Sequence, residues 1–210
     1  MSAGQQMTRP KQAGGVVERY VFDTLGAPFK VTLENAVSIS TDPDTGRENV
    51  KIPDMVGLVL AVVRRRAMDS RKLSGEEIKF LRQALGLQAN KLAHFLDVTP
   101  EHYSRCEAGD RVLSSTAEKH LRLFAFGATL FRSPEELLDA ALDRSEAPKP
   151  LSKKAQRMER DFLNVFLRMT IAPVRNADEQ IEYVFIRCPV VEAVAGDDSD
   201  GDWEPQPEGY

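Results

Sequence analysis

Two helical patterns, each about ten residues long, sit almost back to back from Leu87 to Gly109, in "LQANKLAHFLDVTPEHYSRCEAG", with only the corner "DVTP" between them. Leu92, Ala93, Leu96, Val98, Tyr103 and Cys106 fall at three- and four-residue steps, so each half has one apolar face. A pair this short cannot bury that face alone and requires supporting helices. The chain supplies them on both sides. "SGEE" offers Ser74 as an N-cap with Glu77 three residues on, a capping box ahead of "IKFLRQALG", with Gly86 as the stop. "STAE" repeats the device with Ser115 and Glu118 ahead of "KHLRLFAFG", and "SPEE" with Ser133, Pro134 and Glu136 ahead of "LLDAALDR". The centre is therefore predicted as helices over 74–85, 88–96, 99–107 and 115–126.

The flanks read differently. "VVERYVFD", "FKVTLENAVSIS" and "VKIP" alternate like strands, with "TDPDTGREN" as a turn between the last two. Pro53 fits the first turn of a helix through Arg66, apolar along Met55, Leu58, Val59 and Val62. After the linker "SEAPKP" comes a basic helix, "SKKAQRMERDFLNVFLRM", then the strand-like "EQIEYVFIRCPVVEAV". The predicted fold is α+β: a central all-α helix-turn-helix bundle of four to five helices, an N-terminal β-hairpin unit and a C-terminal helix-plus-strand segment. The expected divisions are 1–14 disordered, 15–67 strands and helix, 68–127 the helical domain, 128–191 C-terminal helices and strand, and 192–210 an acidic disordered tail.

The 210 residues suffice for one good-sized domain or two small ones. "MVGLVLAVV" is too short to span a bilayer, and the N-terminus lacks the apolar core of a signal peptide, so a cytoplasmic location without membrane is expected. Cys106 and Cys188 point to no disulfide framework. The net charge of −4 hides an asymmetry: Arg64–Phe124 carries twelve Lys and Arg against eight Asp and Glu, and Glu192–Tyr210 carries seven acids and no Lys or Arg. The basic runs "RRRAMDSRK" and "KPLSKKAQRMER" read either as DNA-backbone contacts or as solvated helix faces. The acidic tail, with Trp203, reads as a solvated segment or as a competitor folding over the basic centre.

A helix starting at Thr99 turns Tyr103 and Cys106 inward and Glu101, His102 and Arg105 outward. That is the layout by which short polar groups reach base edges in a major groove about 12 Å wide. Arg105 can donate to guanine O6 and N7, and Glu101 can accept from cytosine N4. Gln88, Lys91, Thr99, Ser104 and Arg111 flank this face as backbone contacts. The rival reading of the same face is a solvated side of a helical bundle. His94 and His120 read as surface or packing histidines. No Ser/His/Asp or Cys/His grouping and no phosphate-binding Gly loop supports an enzyme.

Leu87, Leu92, Ala93, Leu96, Val98, Thr99, Ser104, Arg105, Glu107 and Gly109 match the helix-turn-helix of lambda-repressor/Cro-type regulators, and "LSGEEIKFLRQALGL" and "LSSTAEKHLRLF" extend the match on both sides. The segment Leu73–Gly127 most resembles the DNA-binding half of MqsA-type antitoxins. The resemblance implies double-stranded DNA as partner and an ion pair between Arg82 and Glu107. It departs at Ala89 (usually Gln), Asp97 (usually Gly) and Cys106 (commonly Trp), which bears on affinity and half-site sequence and leaves the architecture intact. The N-terminal strands resemble the unit that carries zinc in that family. With no Cys before Cys106 and no His before His94, no metal and no cofactor are expected. The expected activity is sequence-specific transcriptional regulation as a dimeric repressor, since one helix reads only about four base pairs. The alternative is an antitoxin that binds a toxin through the N-terminal unit and represses its own operon.

Overall fold

Alternating Val, Ile, Thr and Tyr draw Gly15–Val21, Lys30–Thr41 and Glu48–Lys51 into strands β1, β2 and β3. The computed structural model describes residues 15–130, 137, 138, 142, 152–172, 180–188 and 202–206. In the turn between β2 and β3, the Asp42 carboxylate accepts from the backbone of Asp44 (2.8 Å) and Thr45 (3.2 Å), and Gly46 takes φ 69°. Helices α1 (Met55–Met68), α2 (Gly75–Ala84), α3 (Ala89–Phe95), α4 (Pro100–Glu107), α5 (Ser115–Ala128) and α6 (Lys153–Arg168) follow, and then strands β4 (Glu182–Cys188) and β5 (Asp202–Pro205). The protein is thus mixed α+β, with six helices and one five-stranded sheet among the described residues.

Strand order is β1-β2-β4-β5, with β3 on β2 as well. One edge of the long β2 is taken by antiparallel β1. Its other edge is shared: β4 runs parallel along Lys30–Glu34, and β3 runs antiparallel along Ser38–Thr41. The changeover falls at Asn35, which takes φ 52° where the β1–β2 register shifts. All six helices therefore lie in the crossover between β2 and its parallel neighbour. The segments 15–67 and 128–191, expected as separate flanking units, contribute strands to one sheet. Their buried residues, including Leu33 and Phe185, share one core with Leu81, Leu92 and Leu121 of the helices.

The tail requires a second correction. Residues 202–205, expected to be disordered, form β5 against β4, and Trp203 is 2% exposed with its indole N–H donating to Asp54 O (3.0 Å). Four residues of acidic, Pro-ended sequence have little strand propensity; burying the indole against α1 supplies what propensity lacks. The 1–14 segment, the "SPEE" box at Ser133–Glu136 and the linker "SEAPKP" lie outside the described residues.

Helix starts follow local chemistry, with shifts. The Ser74–Glu77 capping box forms as expected. At α5 the cap is Ser114, whose hydroxyl accepts from Ala117 N (3.1 Å), in place of Ser115. Pro53 stands outside α1, which is capped instead by Asp54 in the left-handed region at φ 44°.

Glu118, freed from capping, turns into the core and joins a buried ionic cluster at the centre of the molecule. Its carboxylate accepts from Arg122 Nη2 (2.7 Å) and Leu73 N (3.0 Å) and lies 2.7 Å from Lys72 Nζ. Beside it, Glu77 accepts from Arg66 Nε (2.9 Å) and Nη2 (2.8 Å). Both guanidinium groups also donate to carbonyls of the α1–α2 connection: Arg66 to Arg71 O (3.0 Å) and Lys72 O (3.1 Å), and Arg122 to Arg71 O (2.6 Å) and Asp69 O. Such a connection would otherwise bury unpaired backbone groups. The basic run "RRRAMDSRK" is accordingly neither a DNA track nor a solvated end at Arg66, Arg71 and Lys72. All three are ion-paired within the chain, Arg66 fully buried and Arg71 and Lys72 half-buried.

The cluster reaches the sheet through Asp69, which accepts from Tyr183 Oη of β4 (2.6 Å) and pairs with Arg71. Burial opposes the Asp69 charge, but hydrogen bonds from Arg71 and Tyr183 outweigh it and hold the carboxyl well below the usual carboxylate range. A depressed folded-state pKa means its contribution is present in full above the unfolded value of about 3.9 and is lost as pH falls below it. Thermal melts from pH 7 to pH 3 should therefore show a steeper acid loss in the wild type than in Asp69→Asn. Parallel curves would remove Asp69 from this role.

Candidate nucleic-acid interface

The chain turns from α3 into α4 through Leu96–Thr99. Asp97 takes φ 56°, a left-handed position that Asp tolerates better than most residues, and Val98 N closes the corner on Ala93 O (3.1 Å). Thr99 then caps α4, its hydroxyl oxygen accepting from His102 N (3.1 Å), and Pro100 occupies the first turn, where no N–H is needed. At the far end Gly109 takes φ 83° and Asp110 N bonds to Arg105 O (3.0 Å).

Eight residues of helix separate cleanly into two faces. Tyr103 and Cys106 are buried completely, while Glu101, Ser104 and Arg105 are exposed. Gln88, Thr99 and Arg111 are exposed beside them, and Lys91 is half-buried. His102 departs from its expected outward placement. It is half-buried, with Nε2 3.5 Å from Cys106 Sγ one turn along the same helix. Burial pushes the Cys106 thiol up, so it stays protonated as a packing group.

Three contacts fix the orientation of α4. Arg82 of α2 donates to Glu107 through Nε (2.6 Å) and Nη2 (3.0 Å) and to Leu87 O through Nη1 (3.1 Å), tying α2, the start of α3 and the end of α4 together. Tyr103 lies beside this pair, where burial and the Glu107 charge push its phenol well above the usual range. At Gly75 the α2 backbone passes so close to the end of α4 that a Cβ would stand 2.5 Å from Cys106 O and 2.7 Å from Glu107 O. Only glycine permits that approach.

Arg82→Ala should cost about 2–3 kcal/mol. That is below the full cost of stranding a dry charge, because the Arg82 and Glu107 side chains keep 16% and 12% exposure. A melting temperature equal to wild type would remove the pair from any structural role.

Sequence reasoning missed the buried cluster of Arg66, Glu77, Glu118 and Arg122. The four-residue spacing of Glu118 and Arg122 is its one local sign, and Glu118 reads in the sequence as a capping acid. Also unforeseen is that the two basic runs converge. Arg64 and Arg65 of α1 face Lys153, Lys154 and Arg157 of α6 across one cleft. Among the described residues no group of three or more His, Cys, Asp or Glu could hold a metal ion, and no helix is long and apolar enough to cross a membrane. Comparison with protein families, with curated proteins and with solved structures finds no match to this chain.

Proposed function

We propose that the protein is a sequence-specific DNA-binding transcriptional regulator, a dimeric repressor that uses α3 and α4 as a helix-turn-helix and inserts α4 into the major groove. The observation that carries this reading is the division of α4. Its aromatic and thiol side is fully buried, and Glu101, Ser104 and Arg105 stand exposed on its outer side. A helix rigidly held from behind, with short polar groups in front, is what reading base edges requires.

Roles follow from donor chemistry. Arg105 offers the planar fork that matches guanine O6 and N7, and Glu101 accepts from cytosine N4. The Thr99 oxygen is occupied by its capping bond, but the hydroxyl proton remains available to a phosphate oxygen, as does that of Ser104. Gln88, Lys91 and Arg111 border this face and set the register on the backbone. His102, leaning toward Cys106, is not assigned to base readout.

Selection of bound sites from random duplexes with the purified protein tests the whole reading. The expected product is a palindrome with half-sites about one helical turn, roughly 34 Å, apart, and binding that falls steeply with salt as counterions are released. Recovery of no enriched sequence, with affinity equal to that for bulk DNA, would reject it.

A further inference from the structure

The cleft between α1, α6 and β5 encloses about 740 Å³, within the range of small-molecule sites. Its floor is apolar. Phe126 of α5 stacks on Phe162 of α6 with centroids 3.9 Å apart, half-buried Met68 and Met158 form the open part, and Trp203 closes the sheet end. Its rim is cationic: Arg64, Arg65, Lys153, Lys154 and Arg157 against Asp161 and Glu204. Arg65 stacks on Tyr183 at 5.0 Å, and the exposed Lys153 and Arg157 stand on the α6 side of the cleft.

Lys153 and Lys154 are the first two residues of α6, and its first turn has no acid. Cations there oppose the helix dipole, so helix stability does not explain them. An anion held at that rim would relieve the opposition and would also face the positive end of the helix.

We propose that this cleft binds a small amphipathic anion, an apolar chain or ring system carrying a single carboxylate. The tail lies over Met68, Met158 and the Phe126–Phe162 stack, and the head group meets Lys153 and Arg157. The apolar floor distinguishes the site from a nucleic-acid track, for which a cationic surface without a hydrophobic well would suffice. The inference stands apart from the reading of α4, since its test needs no DNA.

Trp203 is the chain's one tryptophan and lines the cleft, so its fluorescence reports occupancy directly. Decanoate, kept below its micelle concentration, should change that emission saturably at one ligand per chain, with matching heats by calorimetry. The double variant Lys153→Glu, Arg157→Glu should bind at least tenfold more weakly with a melting temperature no lower than wild type, because both side chains are exposed and an acid in the first turn suits the helix dipole. Decanol should also bind at least tenfold more weakly than decanoate.

The proposal falls if decanoate gives neither signal nor heat, if the double variant binds equally well, or if decanol matches decanoate. It falls also if decanoate binds only after Asp197, Asp198 and Asp200 are changed to Asn. In that case the occupant is the chain's own acidic stretch.

Discussion

Glu77→Ala should lose on the order of 3–5 kcal/mol of folding stability, against about 0.3–1 kcal/mol for Glu76→Ala one residue earlier. Both acids sit in the first turn of α2. Glu76 is exposed and interacts with the helix dipole through solvent. Glu77 is 3% exposed and holds three bonds at once: two from Arg66, which is itself fully buried, and one from Ser74 N (2.7 Å). Removing its carboxylate leaves a guanidinium cation in the core with only carbonyl partners and undoes half of the capping box. Burial by itself works against the Arg66 charge, and the Glu77 hydrogen bonds and charge overcome it. Replacing Arg66 and Glu77 together by apolar residues should restore much of the loss, since an intact buried pair contributes little beyond its own desolvation. Denaturant unfolding of the four proteins decides the matter. Equal losses for Glu76→Ala and Glu77→Ala would mean that the pair is not the keystone of the α1–α2 joint.

Arg105→Ala should leave stability unchanged and abolish sequence preference at the base pair it contacts. The side chain is exposed, so its loss opens no cavity and strands no charge. Its absence removes a bidentate base contact, about 1–3 kcal/mol of discrimination, and one cation near the backbone. In competition binding against a selected operator, the variant should treat matched and mismatched duplexes alike. Arg111→Ala should instead weaken every duplex by a similar factor and flatten the salt dependence. If Arg105→Ala kept full selectivity, the α4 readout would be wrong even though the fold stands.

Five of the twelve basic residues counted between Arg64 and Phe124 (Arg66, Arg71, Lys72, Arg82 and Arg122) are engaged in internal ion pairs. Their partners Asp69, Glu77, Glu107 and Glu118 come from the same segment, so seven cations and four acids remain outside these pairs. Under the proposed function, specific recognition rests on the exposed side chains of α4, which makes Arg105 the most informative residue to change.

What could be read from the sequence alone is what near neighbours decide. The Ser74–Glu77 box, the Gly86 and Gly109 stops, the corner at Asp97 and the inward set Leu92, Tyr103 and Cys106 each depend on residues within about one helical turn, so spacing encodes them. Tertiary structure decided everything that joins distant segments. Glu118 has the look of a cap yet serves a buried ionic cluster, Asp69 finds Tyr183 across 114 residues, and β4 takes a parallel place beside β2 that no hairpin turn could signal. Trp203 turns the short segment Asp202–Pro205 into a strand, and Gly75 allows α2 to touch the end of α4. Local hydrogen bonds close short loops and leave a periodic trace in the chain. Buried charges and parallel strands are stabilised only by partners brought in from elsewhere, and pattern in one dimension does not identify those partners.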